Sequence, residues 1–335
     1  MNFIVLGAGA IGCYIGGRLA AGGRRVTLVG RPRIVQSLAS TGLRVSDLDG
    51  FQAHVSARQL TLATSLAAVR IGAPNVVLLC VKGGATESAA LEIAACCPDG
   101  TSVVSLQNGV DNVARIRAIA PRMRALAGMI PYNVVMPAAG HVHRATAGTL
   151  YLQRCDLTQE MAVLLDACGL ATQLVRDMRP LQWGKLLLNL NNPVNALSNL
   201  PLRAQLMDRD YRLVLAALQI EALAVMKRAG VKPAKVAAVP PQLMPYLLRL
   251  PNWLFGRVAA RMLRMDDSAR SSMWDDLQHG RATEIGDLCG AVVRLAAHHG
   301  VCAPRNAAMC AMVAAHRKGV PLSGPDMRKT ASPRN

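Results

Sequence analysis

The chain has 335 residues, 52% hydrophobic and 17% charged, which excludes intrinsic disorder and leaves room for two domains with sizeable cores. Its 38 Lys and Arg against 20 Asp and Glu give a formal charge of +18, which favours anionic ligands. The arginines are scattered, aromatics make up 3%, and there is no zinc-finger spacing, dense basic run or stacking motif, so no specific nucleic-acid partner is expected.

The chain opens with NFIVLGAGAIGCYIGGRLAAGG (2–23), which reads as strand, glycine turn and helix. Residues 3–21 are as apolar as a signal peptide, but no positive charge precedes them and five glycines interrupt them. GAGAIG (7–12) matches G-x-G-x-x-G in the context that motif requires. Gly7 allows the tight turn, Gly9 lets backbone approach a pyrophosphate, and Gly12 allows close packing of helix on strand. With Ala8, Ala10 and Ile11 they form the expected phosphate loop at a helix N-terminus. A second strand, RRVTLVG (24–30), ends at Gly30 and Arg31, with Arg33 close by. An NAD binder usually places an acidic residue there, whereas a guanidinium suits a 2′-phosphate. NADPH/NADP is therefore expected over NADH; a solvated loop arginine is the alternative.

APNVVLLCVK (73–82) and TSVVSLQNG (101–109) read as further strands, with a helix at 88–97 between them. RALAGMIPYNVV, GTLYLQ and LATQLVRD add strand-like pieces up to residue 177. The alternation predicts an α/β fold, a Rossmann-type parallel sheet covered by helices. From 180 to 318 the periodicity is helical, clearest over 207–229, 269–299 and 304–317. The expected organisation is a dinucleotide-binding domain at 1–177, an all-helical domain at 178–320 and a flexible polar tail at 321–335.

The helical part begins with QWGKLLLNLNNPVNALSN (182–199). Lys185, Asn189 and Asn192 follow an i, i+4, i+7 pattern and share one face of the predicted helix, while Leu186, Leu187, Leu188 and Leu190 fill the rest. Such a polar stripe on a buried helix is costly unless it binds something. Pro193 lacks the N–H that would reach the carbonyl of Asn189, which predicts a kink. PYLLRLPNWLFGRVAARML (245–263) reads as a packed helix pair rather than a membrane-surface element. No apolar run reaches transmembrane length. Nine cysteines, an odd number without a CxxC, read as small buried residues in a reducing compartment, and no metal site is expected. A soluble, cytoplasmic protein without a membrane partner is expected.

These motifs together resemble the ketopantoate reductase (2-dehydropantoate 2-reductase) family, over roughly 1–318. The resemblance rests on GAGAIG, CVKG with Lys82, LQNGV with Asn108, WGKLLLN with Lys185 and Asn189, SSMWDDLQHGRATEI with Ser272 and Glu284, and HGVCAPRN, in that order. It implies a Rossmann domain, a helical domain and an active site between them. It makes Lys185 the catalytic residue, with Glu284 beside it and the nicotinamide ribose. Asn189 and Ser272 bind substrate, while Lys82 and Asn108 lie along the cofactor, Asn108 also orienting the ketone. Asn192 is added from the stripe. The implied reaction is NADPH-dependent reduction of a 2-oxo acid, 2-dehydropantoate to (R)-pantoate, for pantothenate and coenzyme A synthesis, in a protein compatible with a homodimer. Pro193 and Leu202 depart from the family pattern, at positions that in the family carry asparagines touching substrate. Two other readings remain: a related NAD(P)-dependent 2-hydroxyacid or imine-forming dehydrogenase, and, more remotely, a non-catalytic NADPH sensor or a basic nucleic-acid partner.

Overall fold

The computed structural model describes residues 1–71, 75–260, 263, 267 and 269–331. Ala73 and Pro74 of the predicted third strand, Arg261 and Met262 of the predicted helix pair, and the last four residues of the predicted tail lie outside the described residues. The chain divides into two compact units, Met1–Met178 and Arg179–Asn335.

The first unit runs β1 (Asn2–Leu6), α1 (Ala10–Ala21), β2 (Val26–Val29), α2 (Pro32–Thr41), β3 (Leu43–Asp47), β4 (Gln52–Val55), β5 (Thr61–Ala63), β6 (Asn75–Leu79), α3 (Thr86–Cys96), β7 (Ser102–Ser105), α4 (Asn112–Ile119), β8 (Arg124–Met129), β9 (Val134–Ala138), β10 (His141–Arg144), β11 (Leu150–Gln153), α5 (Asp156–Ala167) and β12 (Thr172–Val175). Eight strands form one sheet in the order β12-β11-β8-β7-β6-β1-β2-β5. Neighbours are parallel except β8 and β11. The central strands carry continuous apolar runs, Phe3–Leu6 in β1, Val76–Leu79 in β6 and Val103–Val104 in β7, because both faces are covered. Phe3, Val5, Val76 and Leu78 face one core, with Tyr14, Ile15 and Leu19 of α1. Ile4, Leu6, Val77 and Leu79 face the other, with Ala90 and Ile93 of α3 and Ile116 of α4. This is the Rossmann-type sheet that the strand–helix alternation predicted.

Four strands form a second, smaller sheet, β4-β3-β10-β9, which sequence patterning did not reveal. A buried charge network anchors it to α1. Arg18 Nη1 lies 2.9 Å from Asp47 Oδ2, Arg144 Nη2 lies 3.3 Å from the same oxygen, and Arg144 Nε donates to the Tyr14 hydroxyl at 3.0 Å. Burial alone raises the pKa of Asp47. The Phe51 N–H and the Arg144 guanidinium outweigh it and hold the carboxyl below its usual range.

The second unit is helical: α6 (Arg179–Asn189), α7 (Asn191–Ser198), α8 (Leu202–Met207), α9 (Arg209–Arg228), α10 (Met244–Leu248), α11 (Asn252–Val258), α12 (Ser272–Gln278), α13 (Cys289–His298), α14 (Pro304–Ala314) and α15 (Gly324–Ala331). Two fully satisfied side chains on α9 organise it. Buried Arg212 donates to the carbonyls of Leu206, Met207, Leu248 and Leu250 and to Asn252 Oδ1, at 2.7–3.1 Å, which gathers the ends of α8, α10 and α11. The Glu221 carboxylate accepts the backbone N–H groups of Arg305 (2.9 Å) and Asn306 (2.8 Å), capping α14. No described helix is long and apolar enough to cross a membrane.

Three sequence expectations are corrected here. The helix over 182–199 is two helices. α6 ends at Asn189, whose carbonyl Pro193 could not serve, and Leu190 separates it from α7. Asn192 therefore leaves the helix of Lys185 and Asn189. The helix over 269–299 is broken: α12 stops before Gly280, at φ +61°, and a 3-10 turn at Ile285–Asp287 precedes α13. The tail from 321 is not frayed over its described length. α15 buries Met327 fully, Leu322 N donates to Leu197 O at 2.9 Å, and Arg328 meets Asp210 at 2.6 Å.

Arg212→Lys keeps the charge but loses the planar five-donor fork, stranding buried carbonyls that cost about 1–3 kcal/mol each. We expect a loss of at least about 2 kcal/mol in denaturant unfolding; a change under about 0.5 kcal/mol would show that this hub does not organise the helical unit.

Candidate active site

In the first unit the loops following β2, β1, β6 and β7, four parallel neighbours, emerge at one edge of the sheet. They carry Gly30-Arg31, GAGAIG, Lys82 and Asn108. Gly7 sits at φ +112°, and a Cβ there would lie 2.6 Å from Val81 N and 2.7 Å from Cys80 C, so the β6 loop passes against it. A Cβ on Gly12 would lie 2.1 Å from Gly7 O. Both glycines are required by backbone contact. Gly9 differs: a Cβ there would meet nothing within 4 Å, and it precedes α1 with no side-chain cap. The first turn of α1, from Ala10 and Ile11, thus faces open space with its N–H groups available to an anion, which fits a dinucleotide pyrophosphate. Gly30 is held tight, 2.5 Å from Ala8 Cβ if substituted, and places exposed Arg31 at the start of α2.

Lys82 is exposed where the chain turns into the 3-10 segment Gly83–Ala85. The half-buried Asn108 accepts from Asn112 Nδ2 through its carbonyl, at 2.7 Å. The two loops are tied by buried Gln107, which sequence reasoning passed over. Its Oε1 accepts from Ser105 Oγ (2.9 Å), and its Nε2 donates to Val81 O (3.0 Å) and Thr86 Oγ1 (2.8 Å). Thr86 Oγ1 in turn donates to Asn112 Oδ1 at 3.1 Å.

In the second unit Lys185 and Asn189, both half-buried, lie one turn apart on α6. The preceding residues explain the WGK segment. Trp183 is in the core, and a Cβ on Gly184 would lie 2.3 Å from Ala234 O, so only glycine admits the chain that crosses α6 there. Gln219 Nε2 of α9 donates to Leu187 O at 2.9 Å. Lys185 is brought together with Glu284. Burial lowers the pKa of the ammonium to about 8, and the charge of Glu284 works against that fall. Glu284 begins the 3-10 turn, its carbonyl accepting from Asp287 N at 3.0 Å. Arg281 holds the loop leading to it, with Nε 3.0 Å from Asp276 Oδ1 and a further ion pair to Asp275.

Asn192, on α7, is joined to the start of α12. Its carbonyl accepts from Ser271 Oγ at 3.2 Å, while Ser271 N donates to Asn195 Oδ1 at 2.9 Å. Ser271, buried, is the helix cap; Ser272 follows it on the exposed side of the first turn of α12. Asn195, fully buried, also donates to Leu200 O at 2.9 Å, so it braces the site's frame. Trp274 Nε1 donates to Asn199 Oδ1 at 2.7 Å, and Asn199 closes α7 in the left-handed region. The Ser-Ser-Met-Trp segment is thus docked on α7 and its C-terminal end by three hydrogen bonds around an exposed serine.

The ketopantoate reductase PanE/ApbA family matches residues 3–156 and its C-terminal domain matches residues 177–317, so the chain belongs to this family of oxidoreductases. The chain is 28% identical to the 2-dehydropantoate 2-reductase of Pyrococcus horikoshii over 321 residues, covering 94% of this chain and 97% of that one. It is also 28% identical to the Halobacterium salinarum enzyme of the same name, covering 91% and 95%. Among solved structures, a PanE/ApbA family ketopantoate reductase from Ralstonia eutropha JMP134 superposes with a TM-score of 0.80 at 28% identity, covering 99% and 100%. A D-mandelate dehydrogenase in complex with NADH and anilino(oxo)acetate shares the fold, with a TM-score of 0.78 at 19% identity, covering 94% and 98%.

Glu284→Gln removes the charge that favours the Lys185 ammonium, so the pKa of Lys185 should fall further below about 8. Titration of the lysine by NMR checks this; an unchanged or raised value would contradict the pairing.

Proposed function

We propose that the protein reduces a 2-oxo acid with NADPH, and that the acid is 2-dehydropantoate, giving (R)-pantoate. The observation that carries this reading is Lys185, half-buried beside Glu284 with a pKa near 8 in a chain of this family. The nucleotide loop fits the cofactor's phosphates, and NADPH when bound supplies the hydride for the keto carbon. Charge then develops on the keto oxygen. Lys185 hydrogen-bonds that oxygen and gives it a proton. A pKa near 8 keeps the lysine mostly charged at neutral pH while making its proton easier to give than that of an ordinary lysine. Glu284 holds the ammonium in place. Asn108 and Asn189 orient the ketone, and Ser272 with Asn192 receives the rest of the acid. Lys82 lies along the cofactor, and Arg31 takes its 2′-phosphate.

The departures from the family pattern bear on substrate identity. Pro193 is buried in the first turn of α7, and Leu202 begins α8. Neither can hydrogen-bond substrate as asparagine does. NADPH oxidation across a panel of 2-oxo acids should show turnover with 2-dehydropantoate; turnover only with another member would replace the pantoate assignment and keep the reductase one.

Two further outcomes follow from named groups. Arg31→Ala should raise KM for NADPH about tenfold or more and leave that for NADH nearly unchanged, since a charge-assisted phosphate contact is worth about 1.5–3 kcal/mol. Equal losses with both cofactors would remove Arg31 from the 2′-phosphate. Because the protonated lysine is the donor, turnover should be level below pH 8 and fall tenfold per pH unit above it. A profile level to pH 10 would contradict a donor with this lowered pKa.

A further inference from the structure

The opposite edge of the main sheet carries a feature that the reductase reading does not use. At the N-terminal ends of β6, β1, β2 and β5, adjacent in that order, lies a depression of about 370 Å³. Three exposed arginines from three separate loops line it: Arg25 before β2, Arg58 in the 3-10 turn before β5, and Arg70 beyond β5. Asn2, Gln59 and Asn75 add amides, and no acidic residue is in the lining.

We propose that this depression is a binding site for a multiply charged phosphate anion, an inorganic oligophosphate or the phosphate chain of a larger molecule. Elsewhere in this unit Arg18, Arg122 and Arg144 are paired with aspartates. Arg25, Arg58 and Arg70 have no acidic partner among the described residues. Like charges converging from three loops repel one another, and a shared anion removes that repulsion. Gln59 Oε1 accepts from Ser56 N at 2.9 Å and from Ser56 Oγ at 3.0 Å, so its Nε2 is the end of the amide left to donate to a ligand. Guanidinium groups take phosphate oxygens in pairs, so three of them suit an anion with several phosphates. The volume, against the roughly 30 Å³ that one water occupies in the liquid, has room for two or three phosphates. The site lies at the other end of the strands from GAGAIG, so its ligand is not the pyrophosphate of the dinucleotide.

The test is calorimetric titration of the full chain with inorganic tripolyphosphate at 50 mM salt. The wild type is compared with the folded triple variant Arg25→Gln/Arg58→Gln/Arg70→Gln and with Arg31→Ala. The triple variant should lose at least tenfold in affinity, Arg31→Ala should keep the binding, and turnover should be unchanged in the triple variant. Affinity within twofold of wild type in the triple variant would overturn the proposal, as would loss of binding in Arg31→Ala alone. Duplex DNA is titrated alongside. If DNA binds and weakens in the triple variant while tripolyphosphate does not bind the wild type, the surface is a nucleic-acid footprint and the oligophosphate site is wrong.

Discussion

An ammonium held partly out of water beside a carboxylate is the interaction on which the candidate site in the helical unit depends. Burial disfavours the charge on Lys185, and Glu284 offsets only part of that cost. The pair keeps its geometry only if both carriers are fixed. α6 is fixed by Gly184, which admits the Ala234 backbone, and by Gln219, which holds the Leu187 carbonyl. The Glu284 turn is fixed by Arg281 on Asp276 and by Gly280, which ends α12 early enough for the chain to reverse. A continuous helix from 269 to 299 would have left Glu284 inside a regular helix instead of at the start of a 3-10 turn.

The nucleotide-binding unit solves a different problem with backbone alone. Three glycines of one motif do three distinct things. Gly7 yields to the β6 loop and Gly12 yields to Gly7, while Gly9 yields to nothing in the protein and leaves space for an anion. That contrast separates the packing glycines from the ligand-facing one. The buried hydrogen bonds of Gln107 then keep the Lys82 and Asn108 loops in register, which suits a ligand lying across several strand ends.

Much of this was legible in the sequence because the signals were local. Strands buried on both faces carry unbroken apolar runs, so β1, β6 and the centre of β7 stood out. The glycine motif, the missing acidic residue after β2, and the Lys185–Asn189 spacing are each readable within a few residues. The rest depended on distant partners. β3 (LRVSD) and β4 (QAHV) alternate apolar and polar residues over only five and four positions and β5 spans three, so none carries the continuous apolar run that marks β1 and β6. Asp47 meets Arg144 97 residues away, and Asn195 meets Ser271 76 residues away, with nothing local to announce either. The tail looked disordered by composition, yet buried Gly324 and Met327 and the Arg328–Asp210 pair dock it. Gly280 and Gly286, six residues apart, were the local signs that the long predicted helix would break.

The central claim is that Lys185 donates the proton to the keto oxygen, and one substitution tests it most directly. Turnover of Lys185→Ala should be measured with NADPH and 2-dehydropantoate at saturating concentrations, in protein shown to be folded and to bind NADPH. General acid catalysis contributes about 10²–10⁴-fold, and the charge it meets develops in the transition state, so kcat should fall by that order. A kcat within a few-fold of wild type would contradict the account and leave Lys185 a half-buried helix residue with no part in the chemistry.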